Sequence, residues 1–348
     1  MWHRGKIKDQ VSHTGGTLDL REPWKHDYDD TCTRADIFYC FRLLLGRNPS
    51  RVEWPGHSAL AGGRLTDVVA TYLDSPEFKN RQLGSFDMRE IELCRVHDFE
   101  LYVPKNDMQV GRTIYLSRAY EPPLTDLFLR NLKKGDVFVD VGANIGYFSM
   151  LAASRIGPNG RVFAFEPFSQ NVKLLHLSKR ANRFEQVEIF PLAASSGRQL
   201  YLYDNAGTNG FISPLSDDFR AVMQSTIVFS MSLDELLKDV ARVDFLKVDV
   251  EGAEYLVLRG AETIVHRHLP AIVSEFAPPA IQNVSGVSPL DYLRLLLISP
   301  EYQLFVLDEA GVIPCGRDVE KVMNFFEEKG SNHIDLLATS RSLTHRAK

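Results

Sequence analysis

Five apolar runs with the length and composition of β-strands are separated by segments long enough to form helices. The runs are residues 137–140, 161–166, 187–190, 244–249 and 271–276. Near-continuous apolar strands that alternate with helices are typical of a parallel sheet covered on both faces. The sequence therefore predicts an α/β fold. Two later runs, 303–307 and 333–338, are predicted to complete the sheet as a hairpin-like edge.

The region before these runs divides into a tail and a short helical segment. Residues 1–30 are polar and show no apolar period, so we expect a flexible tail. Residues 31–86 contain apolar side chains at helical spacing, with a helix predicted over 65–73 and a helix start near Pro76. The predicted organisation is therefore a tail, a small helical module over 31–86, and an α/β domain over 87–348.

The segment that leads into the α/β domain has mixed signals. Residues 99–103 and 113–116 have the alternation of short strands, joined through a turn at 104–107 that contains Pro and Asn. A helix is predicted from Pro122 to Leu132. We expect a two-stranded element followed by this helix.

Composition and charge exclude several classes of protein. The formal net charge is -5 with no long run of one sign, which argues against a nucleic-acid-binding protein. No run approaches the roughly 18 apolar residues of a membrane-spanning helix, and no apolar segment follows the basic N-terminus as a secretory signal would require. The four scattered cysteines are expected to be free thiols. A soluble cytoplasmic protein is the expectation.

A glycine-containing loop follows the first apolar run. Asp140 ends that run, and Gly142, Asn144 and Gly146 come next, where glycine permits tight turns and close approach to a ligand. Ligands of open α/β sheets bind beyond the carboxyl ends of the strands. The second run ends in Glu166, where an acid can accept both hydroxyls of a ribose. These residues predict a cofactor that contains adenosine.

The spacing of the loop favours S-adenosylmethionine over a nicotinamide dinucleotide. A dinucleotide loop needs a third, central glycine, and this loop has Ala143 and Asn144 at that point. The carboxylate of Asp140 would repel a diphosphate. S-adenosylmethionine carries no phosphate, and its sulfonium and ammonium groups suit an acidic site.

Three motifs together resemble the FkbM-type methyltransferases. They are residues 140–149, 164–167 and 247–254, and the resemblance extends from about residue 99 to the run that ends near Glu275. It implies a Rossmann-like methyltransferase fold and transfer of a methyl group from S-adenosylmethionine to a hydroxyl of a small molecule, sugar or glycan. One departure is Ser178, which stands where an asparagine is expected.

The resemblance also implies a set of cofactor-binding residues. They are Glu121, Asp140, Gly142, Asn144, Gly146, Glu166, Phe168, Ala193 and Ala194. In this set Glu166 would bind the ribose hydroxyls, and Phe168 would lie near the adenine. For Glu121, a surface charge at the start of a helix is an equally good interpretation.

The acids that end the later runs are the candidate catalytic residues. An alcohol is a poor nucleophile until it loses its proton, so a base or a metal is expected near the methyl group. Asp249, Glu251 and Glu275 are assigned to this role. Asp249 and Glu275 could bind Mg²⁺, although the resemblance does not require a metal. Lys247 is expected to neutralise these acids, and Glu254 to cap the next helix.

Two other interpretations remain open at this point. The helical module carries motifs at 42–47 and 75–78 that resemble a small domain related to phycobilisome linkers, so it could be a docking module or a helical cap. With a docking module, the whole chain could be a non-catalytic scaffold. A nicotinamide-dependent oxidoreductase is the other alternative. The segment 204–210 is predicted to be a loop over the acceptor pocket or an ordinary hairpin. Three histidines on helix-like segments are expected at the surface: His176, His266 and His268.

Overall fold

A computed structural model gives the architecture of the chain, which divides into two compact units, Met1–Asp87 and Met88–Lys348. The described residues are 10–13, 16–19, 29–80 and 90–341. Within the predicted tail, strand β1 (Gln10–His13) pairs antiparallel with strand β2 (Gly16–Asp19). Most of the remaining predicted tail lies outside the described residues.

The helical part of the first unit has its own apolar core. The helices are α1 (Arg34–Tyr39), a π-helical turn (Cys40–Leu44), α2 (Trp54–Ser58), α3 (Leu65–Leu73) and α4 (Pro76–Asn80). α1 begins where the Thr33 side chain and the Asp36 carboxylate cap each other's backbone N–H groups. Ile37 and Phe41 are fully buried against Tyr72. The predicted helix over 65–73 is confirmed, whereas the short helix α2 was not predicted.

The second unit contains the α/β domain. Its strands are β3 (Ile91–Val96), β4 (Phe99–Pro104), β5 (Val137–Val141), β6 (Arg161–Phe165), β7 (Val187–Phe190), β8 (Ala193–Ala194), β9 (Gln199–Ala206), β10 (Asn209–Pro214), β11 (Thr226–Met231), β12 (Phe245–Val248), β13 (Ala271–Phe276), β14 (Gln303–Asp308), β15 (Gly311–Gly316) and β16 (Ile334–Thr339). Its helices are α5 (Gly111–Ser117), α6 (Pro122–Asn131), α7 (Tyr147–Ile156), α8 (Ser169–Asn182), α9 (Phe219–Gln224), α10 (Leu233–Leu236), α11 (Glu254–Arg259), α12 (Glu262–His268), α13 (Pro278–Ser285), α14 (Pro289–Leu296) and α15 (Val319–Lys329).

Eight strands form the main sheet in the order β15-β14-β16-β13-β12-β5-β6-β7. The five strands from β13 to β7 are parallel, and every residue of β5 and β12 is buried, as their continuous apolar sequence predicts. The carboxyl ends of these strands therefore meet along one edge of the sheet. The α/β fold predicted from the alternation of runs is confirmed, and so is the Rossmann-like fold that the resemblance implies.

The two late runs occupy positions that differ from the prediction. β14 and β16 pair antiparallel, but β16 inserts between β13 and β14, so the hairpin at the sheet edge consists of β14 and β15. Helix α15 lies between β15 and β16 in the chain, and it supplies the length needed for the return into the sheet. The prediction of a hairpin-like edge formed by 303–307 and 333–338 was therefore wrong in its placement of β16.

Of the two strands predicted over 99–103 and 113–116, only the first is present. β4 exists, but its partner is β3, and residues 113–116 lie within α5. The carboxylate of Asp107 accepts the backbone N–H groups of Val110 and Gly111 at 2.9 and 2.7 Å, which starts the helix. These hydrogen bonds satisfy two backbone donors at the start of α5, and the β propensity of the Thr, Ile and Tyr that follow does not determine their structure.

A second sheet of four strands, in the order β10-β9-β11-β8, follows the third parallel strand. β9 and β10 form an antiparallel hairpin, and the segment 204–210 contains its turn. Among the described helices, none is long and apolar enough to cross a membrane. All four cysteines are buried free thiols, as expected.

Candidate functional site

A cavity of about 310 Å³ opens at the carboxyl ends of the parallel strands. This is the edge at which α/β sheets bind ligands. Its lining includes nine of the twelve residues predicted for the site: Glu121, Gly142, Asn144, Glu166, Ala193, Ala194, Asp249, Glu251 and Glu275. The other three, Asp140, Gly146 and Phe168, do not line it.

The glycine loop is packed so tightly that side chains would not fit. Gly142 has φ +78°, and a Cβ there would overlap the carbonyl oxygen of Asp249. Gly146 has φ +95°, and a Cβ there would overlap the side chain of Leu175. Positive φ and close approach both require glycine. Gly142 therefore brings the loop against the end of β12, while Gly146 packs the loop on α8 without facing the cavity.

Glu166 anchors the loop at the end of β6. Its Oε2 accepts the backbone N–H of Asn144 at 2.9 Å, and its Oε1 accepts that of Phe168 at 2.8 Å. Burial raises the pKa of Glu166 to about 7. The ring of Phe168 stacks on Tyr203, which does line the cavity, so Phe168 supports the wall without forming its surface.

Asp140 lies beneath the loop and is fully buried. Its Oδ2 accepts the hydroxyl of Ser149 at 2.6 Å, and its Oδ1 accepts no hydrogen bond from the described residues. The Nζ of Lys247 is 3.9 Å from that Oδ1. Burial raises the pKa of Asp140, and the nearby ammonium opposes this rise. Asp140 therefore acts on the cavity indirectly, through Lys247.

Lys247 connects the buried Asp140 with the cavity. Its side chain is buried, and its Nζ lies 2.9 Å from the Oδ2 of Asp249. Burial disfavours the ammonium, but Asp249 and Asp140 outweigh it and raise the pKa of Lys247. Asp249 faces the cavity with 29% of its side chain accessible. Burial would raise the pKa of Asp249, yet the charge of Lys247 lowers it, so Asp249 stays ionised.

Three carboxylates come together beside this ion pair. Oxygens of Asp249, Glu251 and Glu275 lie within 4.8 Å of one another. Burial and repulsion from Asp249 raise the pKa of Glu275 to about 11, so Glu275 holds a proton that its ionised neighbour can accept in a hydrogen bond. Burial also raises the pKa of Glu251. Carboxylates at this spacing suit a hard divalent cation such as Mg²⁺ as well as proton transfer.

Glu121 faces the cavity from the start of α6. Its side chain makes no capping hydrogen bond, and its buried Oε2 has no hydrogen-bond partner among the described residues. Burial and the charge of Asp249 raise the pKa of Glu121 to about 8. The burial of its Oε2 and the absence of a capping hydrogen bond disfavour the interpretation of Glu121 as a surface charge at the start of a helix.

Asp335 and His333, which were not assigned to the site, also line the cavity, as does Asn209 of the segment 204–210. Asp335 and His333 come from β16 and the segment before it, and burial raises the pKa of Asp335 to about 7. The Nδ1 of His333 is 3.5 Å from the Oε1 of Glu275. Asn209 comes from the β9–β10 hairpin. His333 and Asp335 are polar residues at the start of the run 333–338. They could have been assigned to the site only with the knowledge that β16 lies beside β13.

Several other predicted residues lie away from the cavity lining. Glu254 accepts the backbone N–H groups of Val250 and Gly252, so it caps the turn before α11 as expected. Ser178 accepts the backbone N–H of Tyr102 at 2.9 Å and packs α8 on β4. The three predicted surface histidines lie on α8 and α12: His176, His266 and His268.

The fold and the cavity define a Rossmann-like α/β protein with its ligand site at the carboxyl ends of the parallel strands. A family model, the methyltransferase FkbM domain, matches residues 140–332, which is more than half of the chain. The chain belongs to this family of methyltransferases.

Two curated relatives show what the chain resembles in part. It is 29% identical over 179 residues to the hexuronic acid methyltransferase AglP of Haloferax volcanii. The aligned segment covers 51% of this chain and 67% of that protein. It is 28% identical over 177 residues to the AMB antimetabolite synthetase AmbE of Pseudomonas aeruginosa. The aligned segment covers 40% of this chain and 8% of that protein. The chain thus spans a small part of the second relative.

Two solved structures are similar in a general way. The methyltransferase FkbM from Methylobacillus flagellatus has a TM-score of 0.38 and 16% identity, covering 87% of this chain and 60% of that chain. An S-adenosylmethionine-dependent O-methyltransferase from Thermotoga maritima has a TM-score of 0.36 and 14% identity, covering 74% and 79%. This chain therefore spans less than two thirds of the first of these structures.

Proposed function

We propose that this protein transfers a methyl group from S-adenosylmethionine to a hydroxyl of a small molecule, sugar or glycan. The observation that carries the proposal is that one cavity contains both the glycine loop with Glu166 and the acid cluster of Asp249, Glu251 and Glu275. A family relative that acts on hexuronic acid supports a sugar as the acceptor.

The residues of the cavity fit this cofactor. Glu166 is the kind of acid that accepts ribose hydroxyls, and the small side chains of Ala193 and Ala194 leave room for a flat ring. The unpartnered Oε2 of Glu121 suits a cationic group, whereas the same acidic lining would repel a diphosphate. When bound, S-adenosylmethionine supplies an electrophilic methyl group.

The acid cluster is suited to prepare a hydroxyl acceptor. Asp249 remains ionised because Lys247 lowers its pKa, so it can accept a hydrogen bond from the hydroxyl and orient it. Glu251, whose pKa burial raises, is the better proton acceptor. Glu275 keeps its proton and holds Asp249 in place. We propose catalytic roles for all three residues.

The deciding experiment is calorimetric titration of the purified protein with S-adenosylhomocysteine and, separately, with NAD. We expect micromolar binding of the first and none of the second. Neutral sugars and uronic acids are then tested as methyl acceptors, with and without Mg²⁺, to examine the acceptor class and the need for a metal. Binding of NAD instead would reject the proposal, and binding of neither would favour a non-catalytic scaffold.

The ionisation of Glu166 leads to a pH dependence of cofactor binding. Its pKa of about 7 means that the carboxylate is ionised above that pH and protonated below it. Hydroxyl donors need the ionised form, so affinity for S-adenosylhomocysteine should fall as the pH decreases through 7. We expect a loss of roughly tenfold or more between pH 8 and pH 5.5, measured by calorimetry.

The variant Glu166→Gln separates this effect from the other acids of the cavity. Its amide cannot titrate, so its affinity should be weaker at pH 8 and should lose the fall centred near pH 7, whereas a change near pH 8 from Glu121 should remain. If the variant kept the pH dependence of the natural protein, another group would be responsible, and Glu166 would lose its assigned role.

We also propose that residues 31–86 form a helical module that is separate from the methyltransferase domain of 87–348. The support is the apolar core that these helices bury among themselves, which includes Ile37, Phe41 and Tyr72. The early motif at 42–47 contributes Leu44 and Leu45 to this core. Packing within the module therefore accounts for this motif.

A further inference from the structure

The turn between β9 and β10 bridges the two halves of the cavity. The carbonyl oxygen of Thr208 accepts the side-chain amides of Asn144 at 3.2 Å and of Asn171 at 2.7 Å. The side chain of Asn209 accepts Nδ2 of Asn144 at 2.7 Å and donates to Oε1 of Glu251 at 2.9 Å. The turn therefore links the glycine loop with the acid cluster.

Asp107 holds the same turn from a different element. Its Oδ1 accepts the backbone N–H of Thr208 at 3.0 Å, and its Oδ2 accepts the hydroxyl of Thr208 at 2.8 Å. The carboxylate is buried and also accepts the N–H groups of Val110 and Gly111 at the start of α5. Four donors on one carboxylate form a strong and rigid connection.

Gly207 provides separate evidence that this contact is built into the turn. It has φ +68°, and a Cβ at this position would overlap Oδ1 of Asp107. The carboxylate can therefore approach Thr208 only because the preceding residue has no side chain.

We propose that Asp107 is a positioning residue that closes the Thr208–Asn209 turn over the cofactor cavity and thereby keeps the glycine loop aligned with Glu251. This inference rests on the proposed function, since it concerns the same cavity. Asp107 lies before the segment 140–332 that defines the family, so family membership assigns it no role.

The test is Asp107→Asn in the full chain. Asparagine has the same shape but replaces one acceptor oxygen with an NH₂ group that would face N–H and hydroxyl donors. We expect the Kd for S-adenosylhomocysteine to rise about tenfold or more, because buried donors lose their acceptor. In the cofactor-free protein, hydrogen exchange at the amides of Thr208 and Asn209 should become about tenfold faster, with exchange in β5 and β12 unchanged.

Thr208→Val separates the turn from the start of α5, because it removes the hydroxyl and leaves the contacts of Asp107 with Val110 and Gly111. We expect a smaller, severalfold rise in Kd and local acceleration of exchange. Asp98→Asn, at an exposed position between β3 and β4, is the matched control and should match the natural protein in both measurements.

Two results would overturn the proposal. One is binding by Asp107→Asn within twofold of the natural protein, with unchanged exchange at residues 208–209. The other is exchange that accelerates throughout the domain while Thr208→Val behaves normally, which would assign Asp107 to the folding of α5 alone. If the natural protein did not bind S-adenosylhomocysteine, the proposed function would fail, whereas exchange in the cofactor-free protein would still decide whether Asp107 holds the turn.

Discussion

Asp249→Asn is expected to bind S-adenosylhomocysteine nearly as well as the natural protein but to turn over about 10²-fold more slowly or worse, the scale of a lost general-base or orienting interaction. Asp249 is ionised because Lys247 lowers its pKa, and its Oδ2 lies 2.9 Å from the Nζ of Lys247. An amide keeps the shape but cannot carry the charge that orients a hydroxyl. Single-turnover kinetics with an accepted substrate, beside calorimetry with S-adenosylhomocysteine, measures both quantities.

The matched control for this variant is Asp239→Asn, which removes the charge of an exposed carboxylate shortly before β12. It should leave turnover and binding unchanged. Turnover of Asp249→Asn within threefold of the natural protein would remove Asp249 from the reaction. A loss of binding equal to the loss of turnover would instead make Asp249 a cofactor-binding residue.

Some features of the candidate site follow from local sequence alone. Glycine at 142 and 146 and acids at the ends of apolar runs depend on short-range geometry, and the structure has both at the expected edge of the sheet. Which of these side chains reaches the cavity could not be predicted in the same way. Asp140 pairs in register with Lys247, two residues before the level of Asp249, so it lies beneath the loop and contacts Ser149 and Lys247.

Residues brought in by long-range pairing were missed for a different reason. Asp335 and His333 line the cavity because β16 inserts beside β13, and no local pattern specifies which strands become neighbours. Similarly, residues 113–116 have strand-forming side chains, but the buried carboxylate of Asp107 starts a helix there. Long-range strand pairing and side-chain contacts therefore determine the details that local sequence patterns leave undetermined.

Lys247→Met is expected to destabilise the protein by roughly 3–5 kcal/mol, the cost of removing one partner from a buried ion pair. Lys247 is buried between Asp140 and Asp249, and its ammonium also lies over the ring of Phe148 at 5.1 Å. Methionine fills similar volume but leaves two carboxylates without their cation. Thermal unfolding at pH 8 should show Tm lowered by roughly 10 °C, given 2–4 °C per kcal/mol for a domain of this size.

The pH dependence of this variant identifies the cause of its instability. Without Lys247, burial raises the pKa of Asp140 against the Ser149 hydrogen bonds alone, so its carboxyl is ionised in the folded protein only at a cost in free energy. A group whose folded pKa is raised stabilises the protein at low pH and loses that contribution as the pH rises. The deficit in Tm should therefore be smaller at pH 5 than at pH 8, and Asp140→Asn added to Lys247→Met should restore part of it. A deficit equal at both values of pH, or the same deficit in the exposed control Lys238→Met, would show that lost packing rather than unpaired charge is responsible.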